Sequence, residues 1–445
     1  VEVRREGRLP GLGASTADEG DRFQGLLERA EGAAGLIRER IKDGSVIHIA
    51  SHLDADGLAA AGIMGKALSR GGGSFRIRIE SQMDENTVKE LAGEKPALTV
   101  FTDLGSGYLD ILRSGLGGLP AVILDHHQPV GEEAENLVQV NPHLHGIDGA
   151  RDLSGAGVAY LVAEALDGAN RDLACLAVVG ALGDIQDKYG QRGLGGLNGR
   201  IVEAGVEAGC LEVKTDLLFF GRETRPIHQA LAYTTEPFIP GISGEEDRSL
   251  ALLTGLKIPP KHGERWRALR DLSEEEKKTL FSALADYLTS KGFSGSLALN
   301  LIGTVYNLPR EEPWTPLRDA REFASLLNAT GRTERPGLGV ALCMGDRGAA
   351  LEEANAALEE YRRAITRYLS WLTEEPGRIQ ELDHTYVVRG DSFIPEKIIP
   401  ALASILSNSL PKPEKPLIAF STIPEENAAR ISARAPGLTP GSGLN

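Results

Sequence analysis

Four apolar runs in this chain end on acidic or imidazole side chains, and that recurrence constrains the fold more than any other feature. The first, VIHIASHLDADG at 46–57, opens as a β-branched strand-like run and then places His52, Asp54 and Asp56 within five residues before a glycine. Alternate residues of an extended segment face the same way, so one ring and two carboxylates converge just past the strand end. Carboxylates held that close repel unless a proton or cation lies between them, and a divalent ion answers both. The run at 98–102 leads into Asp103 and a Gly-Ser-Gly turn, and the run at 121–124 ends in Asp125, His126 and His127. A helical run at 174–182 carries Asp184 at its end, in GALGDIQD. With a further strand-like run at 75–79, the strands alternate with helix-length segments. That is the spacing of an α/β fold with a parallel sheet and a site in the crevice beyond its strand ends.

Taken singly, each motif has a plain structural explanation. An aspartate at a strand end usually caps a helix or shapes a turn, and a His-His pair usually sits at a surface. HxDxDG also fits a calcium-type loop, although its spacing is not that of an EF-hand. Together and in order, the four termini point to a dinuclear metal site. Adjacent histidines at a strand end face opposite sides, so one can ligate while the other turns toward substrate, with Asp125 holding a ring nitrogen. Carboxylates dominate and no thiolate joins them, which favours Mn2+ or Mg2+ over zinc. His48 lies inside the first strand-like run and is expected to be packed, not ligating.

At 445 residues the chain should form more than one domain. A net charge of −15 argues against a general basic coat for duplex DNA, although not against a local basic groove. Cys175, Cys210 and Cys343 are widely spaced without a CxxC, which speaks against a zinc ribbon or disulfide framework and for a reducing cytoplasm. No apolar run approaches the ~20 residues of a membrane span. Residues 1–20 read as a loose N-terminus, and helical spacing begins at Phe23 and continues through Leu26, Ala30, Ile37 and Ile41. A metal-binding domain is expected over 21–210. A largely helical insertion or bridge, punctuated by Pro and Gly, follows over 211–295, with Ser273 as a helix N-cap. A smaller mixed α/β domain is expected over 296–445, with strands at 297–305, 339–343, 385–388 and 417–421 and helices at 320–327, 351–372 and 398–406.

In this order and at these separations, HLDADG, TDLGSG, LDHH and ALGDIQD resemble motifs I to IV of the DHH phosphoesterase superfamily. Within it the chain is most similar to the archaeal RecJ-like nucleases, the GINS-associated nuclease type included. DAREFASLLNATGR at 319–332, GLGVALCMGD at 337–346 and FSTIPEENAARISARA at 420–435 extend the resemblance into a DHH-associated substrate-binding domain. The resemblance implies His52, Asp54, Asp56, Asp103, His126 and Asp184 as metal ligands, with Asp103 as the bridge. It places His127 near the scissile phosphate with Asp125 orienting it, and Ser432 and Arg434 on a substrate phosphate. It further implies two divalent ions, Mn2+ ahead of Mg2+, in an exonuclease that hydrolyses single-stranded DNA or RNA to nucleoside 5′-monophosphates during replication or repair. A GINS-type replisome protein is the partner it suggests, docking on the insertion, and no membrane. Two rivals stand beside this reading. One is a phosphoesterase of small substrates such as short oligonucleotides, 3′-phosphoadenosine phosphate or cyclic dinucleotides, and the other is a non-catalytic replisome scaffold. The family's Gly-Gly-His segment, expected after the Ser-x-Arg motif, has no counterpart before Asn445, so the second domain is expected to be cut short.

Overall fold

The β-branched run of the first motif forms a central strand of a parallel sheet in the computed structural model, which describes residues 17–188, 192–234, 239–292, 298–410, 414–424 and 428–435. In chain order the elements are α1 (Ala17–Lys42), β1 (Val46–His52), α2 (Ala55–Arg70), β2 (Ser74–Glu80), α3 (Glu85–Gly93) and β3 (Leu98–Thr102). Then follow α4 (Leu109–Gly115), β4 (Ala121–Leu124), β5 (Leu137–Val140), α5 (Gly155–Leu166), α6 (Ala174–Gly183) and α7 (Gly196–Glu207). The sheet order is β2-β1-β3-β4-β5, and every pairing is parallel. β3 and β4 are buried at every residue, as strands covered on both faces must be, which is why they read as unbroken apolar runs.

The strand order reverses between β1 and β3, and an open α/β sheet leaves a crevice at such a reversal. Hydroxyls knit the two strand ends together there. Thr102 Oγ1 lies 2.7 Å from Ser51 Oγ, and Ser51 Oγ donates to the carbonyl of Gly57 at 2.7 Å. Behind the crevice, α2 is buried along almost its whole length, with Leu58, Ile63, Met64 and Leu68 inaccessible to solvent. It is apolar nearly all round, as a helix enclosed by others is, and it packs against α5 and α6. Small residues set the closeness of that packing. A Cβ on Gly180 of α6 would lie 2.2 Å from Asp56 Oδ1 and 2.5 Å from Ala156 Cβ.

The described residues up to Thr224 form one compact unit with Ile302–Asn355, and Arg225–Leu301 forms another with the described residues from Ala356 onward. In the first unit, Glu212–Leu217 pairs antiparallel with Ile302–Asn307, and the helices Ala320–Arg332 and Pro336–Met344 pack on α6 and α2. In the second, helices Ile227–Tyr233, Glu246–Gly255 and Glu274–Ser290 accompany a short hairpin, Lys261–His262 with Arg265–Trp266. Ser273 caps Glu274–Ser290 in a reciprocal box with Glu276. The second unit also holds a mixed sheet in which Leu417–Ile423 runs parallel to Tyr386–Asp391 and antiparallel to Ala428–Arg434. Tyr368 and Leu372, on the expected helical stripe, are buried there with Ile399, Leu402 and Leu417.

The fold is thus α/β, with a five-stranded parallel sheet in the first unit and, in the second, helices together with a smaller mixed sheet. Four local expectations need correction, the first being that the strand expected over 297–305 begins only at Ile302, with helix and turn at 298–301. Residues 339–343 are not a strand but lie in helix Pro336–Met344, which Pro336 opens and left-handed Gly345 closes (φ 109°). Its short apolar core has no period of its own to separate helix from strand. Helix α1 starts at Ala17, inside the stretch expected to be loose, and β5 has no counterpart among the expected strands. The expectations for residues 1–16, 235–238 and 436–445 fall outside the described residues. Among the described residues no helix is long and apolar enough to cross a membrane, and Cys175, Cys210 and Cys343 are free thiols.

The close approach of α6 to α2 gives a direct test of this packing. Gly180→Ala should destabilise the fold by about 1–3 kcal/mol, the usual penalty for an extra methyl in a filled core. Thermal unfolding in chelator would show it, and an unchanged transition would mean that the helices are less tightly apposed.

Candidate metal centre

Each acidic side chain at the crevice is positioned by an identifiable element end. His52 closes β1. Asp54 is the N-cap of α2, its Oδ1 accepting the N–H of Gly57 at 3.1 Å. Asp56, in the first turn of α2, is fully buried, and its two oxygens accept the N–H groups of Gly155 (2.7 Å) and Ala156 (3.0 Å). The amino end of α5 therefore faces that carboxylate, where the helix dipole favours negative charge. Asp103 follows β3 in the left-handed region (φ 58°), its N–H bonded to the carbonyl of Leu124 at 2.8 Å. It tolerates that backbone better than most residues could. His126 follows β4, and Asp184 sits at the C-cap of α6. Asn328, on helix Ala320–Arg332, tethers the first turn of α2 by accepting the N–H of Ala55 at 3.1 Å.

These elements bring all six residues together. His126 Nε2 lies 3.2 Å from Asp103 Oδ1, 3.3 Å from Asp184 Oδ2 and 3.7 Å from Asp56 Oδ2. His52 Nδ1 lies 2.9 Å from Asp54 Oδ2 and 3.7 Å from Asp103 Oδ2. Two three-residue sets follow, His52–Asp54–Asp103 and Asp56–His126–Asp184, each with one donor atom per residue within 4.8 Å of the others. Asp103 turns one oxygen toward each. A third set, Asp103–His126–His127, overlaps them. His52 Nδ1, Asp103 Oδ1 and His126 Nε2 are buried without an aligned hydrogen-bond partner. Atoms that face one another at such distances without hydrogen bonding suit a shared cation, and the donors, carboxylate oxygen and imidazole nitrogen, suit Mn2+ or Mg2+.

The electrostatics point the same way. Burial, reinforced by the charges of Asp103 and Asp184, pushes Asp56 well above the carboxylate range. Burial, together with Asp54 and Asp103 and against the pull of His126, pushes Asp184 up to about 7. Burial opposes a charged ring at His126, but the Asp103 and Asp184 carboxylates hold it well above the ordinary histidine value. His52 is raised in the same way, against burial, by Asp54 and Asp103. Asp54 goes the other way, for against the effect of burial it is held low by His52, the Gly57 N–H and Arg332. Without a metal, protons are what keep these carboxylates together.

The two adjacent histidines divide as their strand position suggests. His126 is inside, whereas the side chain of His127 is 56% exposed and its Nδ1 lies 2.8 Å from Asp125 Oδ1. Asp125 is fully buried and also accepts the N–H groups of Ser106 and His126, both at 2.8 Å. Burial opposes the charged His127 ring, but the Asp125 hydrogen bond lifts it to about 9. His48 is packed within β1, its Nδ1 3.4 Å from Glu94 Oε2. Ser432 and Arg434 lie in the second unit on strand Ala428–Arg434. There the guanidinium donates to Ser432 Oγ (3.0 Å), Ser404 Oγ (2.8 Å) and the carbonyl of Pro400 (3.1 Å). Sequence reasoning missed the supporting residues Gly149, Gly155, Ala156, Gln186, Asn198 and Asn328. Their one visible signal was Ser154 with small residues ahead of an apolar helix, a cap pattern that does not announce what it faces.

Comparison with known proteins agrees with this architecture. A family model described as the DHH-CID domain matches residues 219–302. An uncharacterised protein of Methanocaldococcus jannaschii is 30% identical over 428 residues, spanning 94% of this chain and 88% of that one. The single-stranded-DNA-specific exonuclease RecJ of Thermus thermophilus is 28% identical over 179 residues, 38% of this chain and 26% of its own length. Among solved structures, RecJ of T. thermophilus in complex with Mn2+ covers 88% of this chain and 46% of its own, with TM-score 0.52 and 19% identity. CDC45 of Entamoeba histolytica covers 94% and 88%, with TM-score 0.62 and 15% identity. The chain belongs to the DHH phosphoesterase superfamily. Within that superfamily it is RecJ-like.

The pKa pattern fixes the sign of a pH experiment. An aspartate raised from 3.8 to about 7 holds a proton in the folded chain that the unfolded chain releases. The stability tied to it is therefore present at low pH and lost as pH rises through 7, and the raised His52 and His126 act in the same direction at higher pH. In chelator, Tm should fall from about pH 5 to about pH 8, and the rise in Tm produced by Mn2+ should grow over that range as ions replace protons. A Mn2+-induced shift of equal size at both ends would contradict the assignment.

Proposed function

We propose that this protein is a two-metal phosphodiesterase that removes nucleoside 5′-monophosphates from single-stranded DNA or RNA. The observation that carries the reading is Asp103, whose Oδ1 and Oδ2 face two separate donor sets and so suit a bridging carboxylate. His52, Asp54 and Asp103 would hold one divalent ion and Asp56, His126 and Asp184 the other, with Mn2+ ahead of Mg2+. Such a pair, when bound, activates a water and neutralises the phosphoryl oxygens of an in-line displacement.

The remaining roles belong to the chain's own side chains. Asp125 anchors His127 through Nδ1, leaving Nε2 to donate to a phosphoryl oxygen or to the departing oxygen. The Asp125 hydrogen bond favours the cationic ring, the form needed for either task. Ser432 and Arg434, paired on one strand, would grip a substrate phosphate. Single strands are favoured because a site sunk past the ends of a sheet admits a backbone more readily than a duplex. The likeness to an exonuclease specific for single-stranded DNA supports that choice. A replisome protein of the GINS type would dock on the region over 219–302, and the fold likeness to CDC45 is what speaks for a replisome partner. A second reading, a non-catalytic scaffold, has the fold likeness to CDC45 in its favour. Six donor residues gathered at one crevice weigh against it, because a scaffold gains nothing from buried carboxylates that repel one another.

End-labelled DNA and RNA strands digested with and without Mn2+ test the proposal. Wild-type protein should release mononucleotides processively only with the metal. Asp103→Asn, which keeps the side-chain shape and tolerates the left-handed backbone, should lower release by about 100-fold or more while the chain still folds. Cleavage confined to di- and trinucleotides would favour the small-substrate rival, and no cleavage of any substrate the scaffold.

A further inference from the structure

His126 is fixed from behind by a chain of buried amides. Its Nδ1 lies 2.7 Å from the carbonyl oxygen of Gly149, and since that oxygen can only accept, Nδ1 carries the proton. In the neutral ring that a metal requires, the lone pair is then on Nε2, the atom that faces Asp103, Asp184 and Asp56. Gln186 donates to the same carbonyl at 2.9 Å, its own Oε1 accepts from Asn198 Nδ2 at 2.6 Å, and Asn198 Oδ1 accepts the N–H of Ser154 at 3.4 Å. Each amide orients the next. Turning Gln186 over would set oxygen against the Gly149 carbonyl and nitrogen against the Asn198 donor. Gln186 and Asn198 are 1% and 2% exposed, so water does not stand in for a lost partner cheaply.

The far end of the chain reaches a second donor. Ser154 caps α5 by accepting the N–H of Gly157 at 3.1 Å, and the two N–H groups after Ser154 are those that hold Asp56. One polar thread therefore joins the support of an imidazole just past β4 to the support of a carboxylate on α2.

We propose that Gln186 and Asn198 are positioning residues for the metal centre, locking the Nδ1–H tautomer of His126 and the amino end of α5 so that His126 Nε2 and Asp56 address one ion together. This rests on the metal-centre reading given above. A network serving only to fill polar space would leave ion affinity alone, whereas this one sets it. The direct outer partner of His126 is the Gly149 carbonyl, and Gln186 and Asn198 act through it; losing the outer support of a metal-bound histidine typically weakens metal binding about 10–100-fold.

The test is Mn2+ titration of the full chain without substrate, by calorimetry or by the EPR signal of free Mn2+. Gln186→Met and Asn198→Leu, which keep bulk and remove the amides, should bind Mn2+ about 10–100-fold more weakly than wild type. Asn170→Leu, removing a buried amide that serves Ala163 and Arg70, should lose stability and keep wild-type affinity. If the variants fold poorly, 15N-histidine NMR of the Mg2+-loaded wild type decides. His126 as the Nδ1–H tautomer supports the proposal, and the Nε2–H tautomer overturns it. Folded variants with Mn2+ affinity within about twofold of wild type overturn this inference alone, whereas a wild type that binds no Mn2+ overturns the metal centre along with it.

Discussion

The structure depends on keeping like charges together. Asp54 and Asp56 at the start of α2, Asp103 after β3 and Asp184 after α6 reach one crevice, where Asp56 and Asp103 are buried and Asp54 and Asp184 are partly so. Carboxylates at such separations repel strongly in a low-dielectric setting, and two imidazoles offset only part of that. The chain spends much of its local architecture on this problem. A helix amino end is aimed at Asp56, an N-cap turn holds Asp54, and Asp103 occupies a left-handed backbone that most residues avoid. Neutral packing would require none of these arrangements. A pair of dications would turn the same repulsion into binding energy, and it would invert the protonation pattern of the empty ligand set.

The sheet explains why the charges meet here. In the order β2-β1-β3-β4-β5, the loops after β1 and β3 diverge at the switch point, and His52 and Asp103 lie on the two sides of that gap. β4, next to β3, delivers His126, while α6 approaches from the helical layer with Asp184. Close approach depends on residues without side chains. A Cβ on Gly155 would lie 2.6 Å from Asp103 Oδ1, and one on Gly180 would lie 2.2 Å from Asp56 Oδ1. The glycines of α5 and α6 are thus part of the centre's geometry, although they contribute no chemistry to it.

Much of this was legible in the residues. The β-branched runs before His52, Asp103 and Asp125 could be read as strands because buried parallel strands are continuously apolar, and the acidic ends followed from where such sheets place their sites. The rest was hidden for physical reasons. β5 is only four residues long and its position is set by pairing with β4, which no local pattern encodes. Helix Pro336–Met344 carries its start and stop signals in Pro336 and Gly345, but its apolar middle reads equally well as strand. Gln186 sits inside a motif whose evident feature is Asp184, and Asn198 in a helix whose evident feature is its apolar face. Their importance comes from bonds to Gly149 and Ser154, which are tertiary facts. The separation of His126 from His127 and the hold of Asp125 on a ring nitrogen were readable in outline, yet the three backbone N–H groups that the buried Asp125 also accepts were not.

The central claim is that the gathered carboxylates and imidazoles form one dinuclear site bridged by Asp103. Anomalous diffraction at the manganese edge from crystals grown with Mn2+ tests it most directly. The account predicts two adjacent peaks, one among His52, Asp54 and Asp103 and one among Asp56, His126 and Asp184, with the Asp103 carboxylate between them. A single peak that leaves Asp103 on one ion only, or peaks remote from this crevice, would contradict it.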